Sequence, residues 1–266
     1  MRDYWANLGA NDEYISSQKS YKKFFPSLYY YFFHLLRIVF YSNRQAKKNI
    51  YDDINWVNSS IDIVKSLEKT GIKLHVTGLD NIRKASGPVI FISNHMSILE
   101  TFAFPSFIHQ HKKVVYIMKE ELTTFPLFGP VSAVRDPIIV GRENPREDLI
   151  KVLEQGAEKI KNGKSIIVFP QRTRSRMFVP SSFNTLGIKL AKKNNVPVIP
   201  IAIVTDAWGN GKILKDFGKI DPSKEVKFAF GEPIAITSNG NEEHQKVIDF
   251  IKNKFIEWGR RDLISE

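Results

Sequence analysis

Short apolar runs rich in β-branched and aromatic residues recur along this chain of 266 residues, and each gives way to a longer stretch with helical spacing. Pro88 to Ser93, Lys113 to Met118, Ile138 to Val140 and Ser165 to Phe169 are continuous rather than alternating, which is the pattern of strands buried on both faces. Between them lie apolar positions at spacings of three and four. Thr101 to Ile108 is one such stretch, and Leu149, Ile150, Val152, Leu153, Ala157 and Ile160 form a second between Asn144-Pro145 and Gly163. Helices are also expected over Asn184 to Asn195 and Glu242 to Arg260, and the last strand over Glu225 to Phe230. Val196 to Val204 carries Pro197 and Pro200, which predicts an irregular or edge strand. Ile72 to Gly78 alternates, as a half-exposed strand does, and His75 within it reads as an ordinary strand side chain. The fold class expected is therefore α/β, a mostly parallel or mixed central β-sheet flanked by helices.

The first seventy residues have a different character. Residues 1 to 20 are polar and irregular, and no role is assigned to them. Phe24 to Tyr41 is aromatic and apolar, with Lys22-Lys23 before it and Arg44, Lys47 and Lys48 after it. It is short for a bilayer crossing, which takes about 20 residues, and it contains His34 and Arg37. Its composition suits the head-group layer of a membrane, or else a core helix with an unusually aromatic face. Tyr51 to Thr70 follows with Ile54, Val57, Ile61, Val64 and Leu67 on one helical side. The division expected is an N-terminal segment and membrane-docking two-helix hairpin over 1–70, then an α/β domain over 71–266.

With no cysteine in the chain, disulfides and thiolate chemistry are excluded. The formal net charge of +11 calls for anionic company, whether phosphate-bearing substrates, acidic lipid head groups or nucleic acid. The aromatics concentrate in one block instead of interleaving with the arginines, which argues against nucleic acid. No apolar leader is evident in the first twenty residues, so the expected location is the cytoplasmic side.

The stretch with most chemistry is Asn94-His95-Met96-Ser97-Ile98-Leu99-Glu100. It follows a buried strand, with Asn94 or Ser97 placed to cap a helix starting at or near His95. Glu100, five residues on, can reach the imidazole if the backbone between them is part turn and part helix. A carboxylate on one ring nitrogen fixes the tautomer and leaves the other nitrogen as a base. Two further strand exits carry cations. Gly141-Arg142 follows Ile138 to Val140, and Gln171-Arg172-Thr173-Arg174-Ser175-Arg176 follows Phe169-Pro170, so both are candidate anion sites. His109-Gln110-His111 lacks a clear third ligand and reads as a solvated helix end, so no metal site is expected. No nucleotide-binding glycine loop is present, and no cofactor is expected.

Four of these blocks, in this order over about residues 88 to 204, resemble the glycerophospholipid acyltransferase family. Its first block, a histidine with an aspartate at the fifth position, is matched by His95 with Glu100 in the acidic place. Its second, Lys-x-Glu-Leu-x-x-x-Pro-x-x-Gly with a later arginine, is matched by Lys119, Glu121, Leu122, Pro126, Gly129 and Arg142. The third, usually Phe-Pro-Glu-Gly-Thr-Arg-Ser, stands here as Phe169-Pro170-Gln171-Arg172-Thr173-Arg174-Ser175. The fourth is Val196-Pro197-Val198-Ile199-Pro200.

The resemblance implies transfer of an acyl chain from acyl-CoA or acyl carrier protein to a lysophospholipid hydroxyl, most simply that of 1-acylglycerol-3-phosphate. His95 is the implied general base and Glu100 its orienting partner, and Arg142, Arg172, Thr173, Arg174 and Lys119 are the implied acceptor-binding residues. The implied setting is the cytoplasmic face of an anionic cell membrane, with monotopic or peripheral attachment. Gln171-Arg172 in place of Glu-Gly either strengthens phosphate binding or marks a different acceptor, such as glycerol-3-phosphate, another lysophospholipid or an aminolipid. A non-catalytic basic protein of the membrane surface is the reading from another class.

Overall fold

The structure is a computed structural model that describes residues 11–16, 25–141, 143–171, 173–211 and 217–265. Its first elements are β1 (Tyr14–Ile15), α1 (Pro26–Tyr30), α2 (Leu36–Lys47), α3 (Asp53–Glu68), β2 (Leu74–Thr77) and α4 (Leu79–Lys84). Then come β3 (Ile90–Ser93), α5 (Leu99–Phe104), β4 (Val114–Lys119), α6 (Phe128–Ala133), β5 (Ile138–Val140), α7 (Pro145–Lys161) and β6 (Ser165–Val168). The chain ends with α8 (Leu186–Asn194), β7 (Val198–Val204), β8 (Val226–Phe230) and α9 (Asn241–Glu257). The strands form one eight-stranded sheet in the order β1-β2-β8-β7-β3-β6-β4-β5. Pairing is parallel from β7 through β3, β6 and β4 to β5 and between β2 and β8, and antiparallel at β1–β2 and β7–β8. A mixed, mostly parallel sheet flanked by helices is what the sequence predicts.

The continuous apolar runs serve two cores at once. Because successive side chains of a strand point to opposite faces, Phe91 and Ile167 join the core beneath the N-terminal helices, with Trp56, Val64 and Leu67. Ile90, Ile92 and Ile166 point the other way and pack with Val152 of α7, Leu190 of α8 and Phe255 of α9. Gly187 lets α8 lie close on β3, since a Cβ there would stand 2.7 Å from Ile92 Cδ1.

Several expectations are corrected. β7 is a central strand, buried along its whole length between β3 and β8. Pro200 is tolerated because Ile201 faces Phe230, the last residue of β8, so Pro200 lies beyond that strand's end. There its carbonyl accepts from Gly231 N at 2.8 Å, and its missing N–H costs no bond within the named ladder. Tyr14–Ile15, in a stretch read as irregular, adds an edge strand, and Tyr14 Oη donates to Glu68. The helix after His95 begins only at Leu99. Asn94 does not cap it, because its side chain bridges to β7, donating to Ile203 O at 3.0 Å and accepting from Ile203 N at 2.9 Å. His109 is buried, not solvated, with Nε2 3.3 Å from Asp53 Oδ1.

A π-turn over Tyr31–Leu35 joins α1 to α2. Inward, Tyr30 stacks edge-on against Trp208 at 5.1 Å and Tyr31 Oη donates to Gly218 O at 2.6 Å. Outward, the same segment leaves Phe32, Phe33, Phe40 and Tyr41 more than 60% exposed. No helix among the described residues is long and apolar enough to cross a membrane.

α3 is held by burial, with Val64 and Leu67 fully inside. Leu67→Ala is expected to lower the unfolding free energy by about 2–5 kcal/mol in a urea titration. A loss well under 1 kcal/mol would mean that α3 does not pack on the sheet as described.

Candidate active site

His95 sits just past the C-terminal end of β3, between the ends of its parallel neighbours β6 and β7. Its backbone is gripped from both directions. Its N–H donates to Gln171 Oε1 at 2.6 Å, and its carbonyl accepts from Ser175 N at 2.9 Å. The ring lies flat on Phe169, with centroids 4.0 Å apart and planes 16° apart. Its Nδ1 is 2.8 Å from Glu100 Oε1. Glu100 is fully buried and its other oxygen partners are donors, so Nδ1 carries the proton and Nε2 is left as the acceptor. No described residue hydrogen-bonds to that nitrogen, and the side chain keeps 18% exposure.

Glu100 is satisfied from several directions. Oε1 also accepts from Met96 N at 2.6 Å and Ser97 N at 2.9 Å, and Oε2 from Thr205 Oγ1 at 2.8 Å and Ser97 Oγ at 3.0 Å. Burial acts to raise its pKa, but the His95 hydrogen bond, the imidazole charge and the Thr205 hydroxyl outweigh it and hold the carboxyl below its ordinary value. Burial, and then the Glu100 charge, push the Tyr116 phenol well above its ordinary value, so it stays protonated and donates to Thr101 O at 2.9 Å.

A cavity of about 990 Å³ opens beside the imidazole. Its wall includes His95, Lys119, Thr173 and Arg174, and continues over apolar side chains such as Trp56 and Phe128. Five of the seven residues singled out from the sequence are thus placed: Glu100 behind His95, and the other four on one cavity wall. Lys119 Nζ is paired with Glu121 at 2.9 Å. Arg142 and Arg172 lie outside the described residues, although their neighbours Val140, Pro145, Gln171 and Thr173 line the same cavity. Sequence reasoning did not find Thr205 or the support that Phe169 and Gln171 give His95. Phe169 and Gln171 stood inside the third block, and Thr205 one residue past the end of β7.

Chemically, the site joins a base with an open nitrogen to a polar wall and a long apolar hollow. A lowered Glu100 pKa stabilises the fold above the unfolded carboxyl value near 4.3, and this contribution is lost as pH falls through the folded value. The stability gap between wild type and Glu100→Gln, from urea unfolding at a series of pH values, is therefore expected to be largest near neutrality and to narrow below about pH 4.3. A gap that stays constant from neutrality to acid would show that Glu100 titrates as an unperturbed carboxyl.

Residues 73–204 match the Acyltransferase family. A 1-acyl-sn-glycerol-3-phosphate acyltransferase of Pseudomonas aeruginosa is 33% identical over 148 residues, covering 56% of this chain and 55% of that protein. Another of that name from Borreliella burgdorferi is 32% identical over 145 residues, covering 52% of this chain and 54% of that protein. The chain spans about half the length of these curated relatives. The crystal structure of PlsC, the 1-acyl-sn-glycerophosphate acyltransferase of Thermotoga maritima, shares the fold at a TM-score of 0.64 and 24% identity, covering 89% of this chain and 95% of that one.

Proposed function

This chain belongs to the Acyltransferase family, and from that premise we propose that it moves an acyl chain from a thioester to the free hydroxyl of 1-acylglycerol-3-phosphate, giving phosphatidic acid. The observation that carries the reading is the His95–Glu100 pair, whose open Nε2 shares one cavity with Thr173, Arg174 and a long apolar wall. The acceptor hydroxyl stands where a serine would in a hydrolase, so no covalent enzyme intermediate is needed. As its oxygen attacks the thioester carbon, His95 Nε2 takes the hydroxyl proton, and Glu100 stabilises the imidazolium that forms. The tetrahedral adduct then collapses, the C–S bond breaks, and the thiolate of coenzyme A or acyl carrier protein recovers the proton from His95. Arg174 and Thr173, with Arg142, Arg172 and Lys119, bind the acceptor phosphate and fix its hydroxyl. The apolar part of the cavity takes an acyl chain.

Within residues 1–70, β1 and α3 belong to the sheet and its core, and the proposed membrane-associating part is the aromatic segment 25–48. Phe32, Phe33, Phe40 and Tyr41 face outward, and Arg37, Arg44, Lys47 and Lys48 share their segment, which suits an anionic head-group layer. Attachment is proposed to be peripheral or monotopic, at the cytoplasmic face.

Release of free thiol from acyl-CoA or acyl carrier protein, measured with and without lysophosphatidic acid, tests the reaction. His95→Ala is expected to cut acceptor-dependent release by about 10²- to 10⁴-fold with circular dichroism unchanged. Near-normal turnover in the folded variant would remove His95 from the mechanism. For attachment, Phe33→Glu with Phe40→Glu is expected to abolish co-sedimentation with phosphatidylglycerol vesicles. Undiminished sedimentation would place the docking face elsewhere.

A further inference from the structure

Arg176 stands in the cationic stretch that leaves β6, yet its guanidinium is engaged by carboxylates. Its Nε is 3.4 Å from Asp206 Oδ2 and its Nη2 3.6 Å from Asp262 Oδ2. Asp206 is the meeting point. It is buried, accepts from Arg260 through both oxygens at 3.3 and 3.2 Å, and accepts from Lys224 Nζ at 2.9 Å. Burial acts to raise its pKa, but hydrogen bonds from Arg260 and Lys224 outweigh it and hold the carboxyl below its ordinary value. A charge so shielded binds its partners firmly, because losing one leaves it uncompensated.

The residue before Asp206 is Thr205, whose hydroxyl donates to Glu100 Oε2. The residue before Arg176 is Ser175, whose N–H donates to the His95 carbonyl. The ion pairs therefore adjoin two contacts that fix the catalytic pair. Arg260 adds a third segment, since it follows α9 and opens the short turn Arg261–Leu263. There Leu263 O accepts from Phe178 N at 2.7 Å and Ser265 N donates to Phe178 O at 2.9 Å, so the C-terminal turn grips the β6 exit a little beyond Ser175. Phe178 and Leu263 are both buried. Apart from Arg176 and Phe178, every member of this clasp lies beyond residue 204, where the family match ends.

We propose that Asp206 is a positioning residue: its ion pair with Arg260 clasps the β6 and β7 exits together through the C-terminal turn and so holds Glu100 and His95 in place for proton transfer. It acts through Thr205 and Ser175 and not on the substrate. The proposal rests on the acyl-transfer reading and adds to it a part of the chain that serves kcat from outside the cavity.

In the full-length chain, Asp206→Asn is expected to lower kcat about 10- to 100-fold, with KM for the thioester and for 1-acylglycerol-3-phosphate within about twofold of wild type. Thr205→Val removes the hydroxyl that Asp206 positions, so the double variant is expected to fall little below the lower of the two single variants. In substrate-free protein carrying isotope-labelled histidine, Asp206→Asn is expected to shift the ring resonances of His95. Those of His109, which lies before β4 at the opposite end of the sheet, are expected to stay in place. Arg260→Gln leaves Asp206 paired with Lys224, is expected to produce the same changes, and carries the test if Asp206→Asn does not fold.

A kcat within about twofold of wild type in the folded variants would overturn the proposal, and so would unmoved His95 resonances. Full additivity of Asp206→Asn with Thr205→Val would overturn it too, as would a rise in acceptor KM with kcat unchanged, which would assign Asp206 to substrate binding. If wild type transfers no acyl group but Asp206→Asn still moves the His95 resonances, the acyl-transfer reading fails and the clasp stands.

Discussion

A carboxylate with no exposure to water organises the site. Removing a charge from water is costly unless hydrogen bonds replace its hydration, and Glu100 receives them from an imidazole, two backbone amides and two hydroxyls. These donors come from separate parts of the chain. Met96, Ser97 and His95 belong to the turn leaving β3, and Thr205 to the exit of β7. Satisfying the charge therefore fixes both the imidazole and the relation of two strand ends. Glutamate suits this role because its side chain runs back from the second residue of α5 to the amides three and four positions earlier. That is the kind of reach a glutamate uses in a helix-capping box.

Strand order does the rest. With β3 between β6 and β7 in parallel, the segments leaving all three emerge at the same rim of the sheet, where α/β folds commonly place ligands. The β6 exit supplies Phe169 beneath the ring, and Gln171 and Ser175 on either side of the His95 peptide. The β7 exit supplies Thr205, and Asn94 locks β3 to β7 just below. The imidazole thus rests on contacts from three chain segments. Its position is set by the sheet more than by its own turn.

What the sequence disclosed, and what it did not, follows from this. The apolar runs and the His95–Glu100 spacing were legible because both are local, carried by unbroken apolar sequence within a buried strand and by reach over one turn of chain. Thr205 was not, since its role depends on β7 lying next to β3, and no periodicity within a run reports its neighbours. Pro200 misled for the same reason. A proline is disruptive where a ladder partner awaits its N–H, and only the register with β8 shows that the strand ends one residue earlier. His109 looked like a helix end in water. It is buried by Trp56, 4.9 Å away between centroids on α3, and that contact joins segments more than fifty residues apart. Gln171 was visible as a departure from the pattern, but its hydrogen bond from the His95 amide depends on β6 lying next to β3.

The aromatic helix connects surface to site by the same economy. An ordinary surface helix turns its apolar side inward and its polar side to water. The segment from Phe25 to Lys47 is apolar in both directions: Tyr30, Leu35 and Val39 are buried, while Phe32, Phe33 and Phe40 are exposed. Two separate apolar partners are needed to account for such a helix. The inward one is the core, and Ile38 and Val39 reach the wall of the cavity that His95 also lines. On the proposed reading the outward one is the bilayer, which would place the cavity wall within one helix diameter, roughly 10 Å, of the lipid. A lysophospholipid would then exchange one apolar environment for another over that distance, so its acyl chain need not cross open water to bring the hydroxyl to His95.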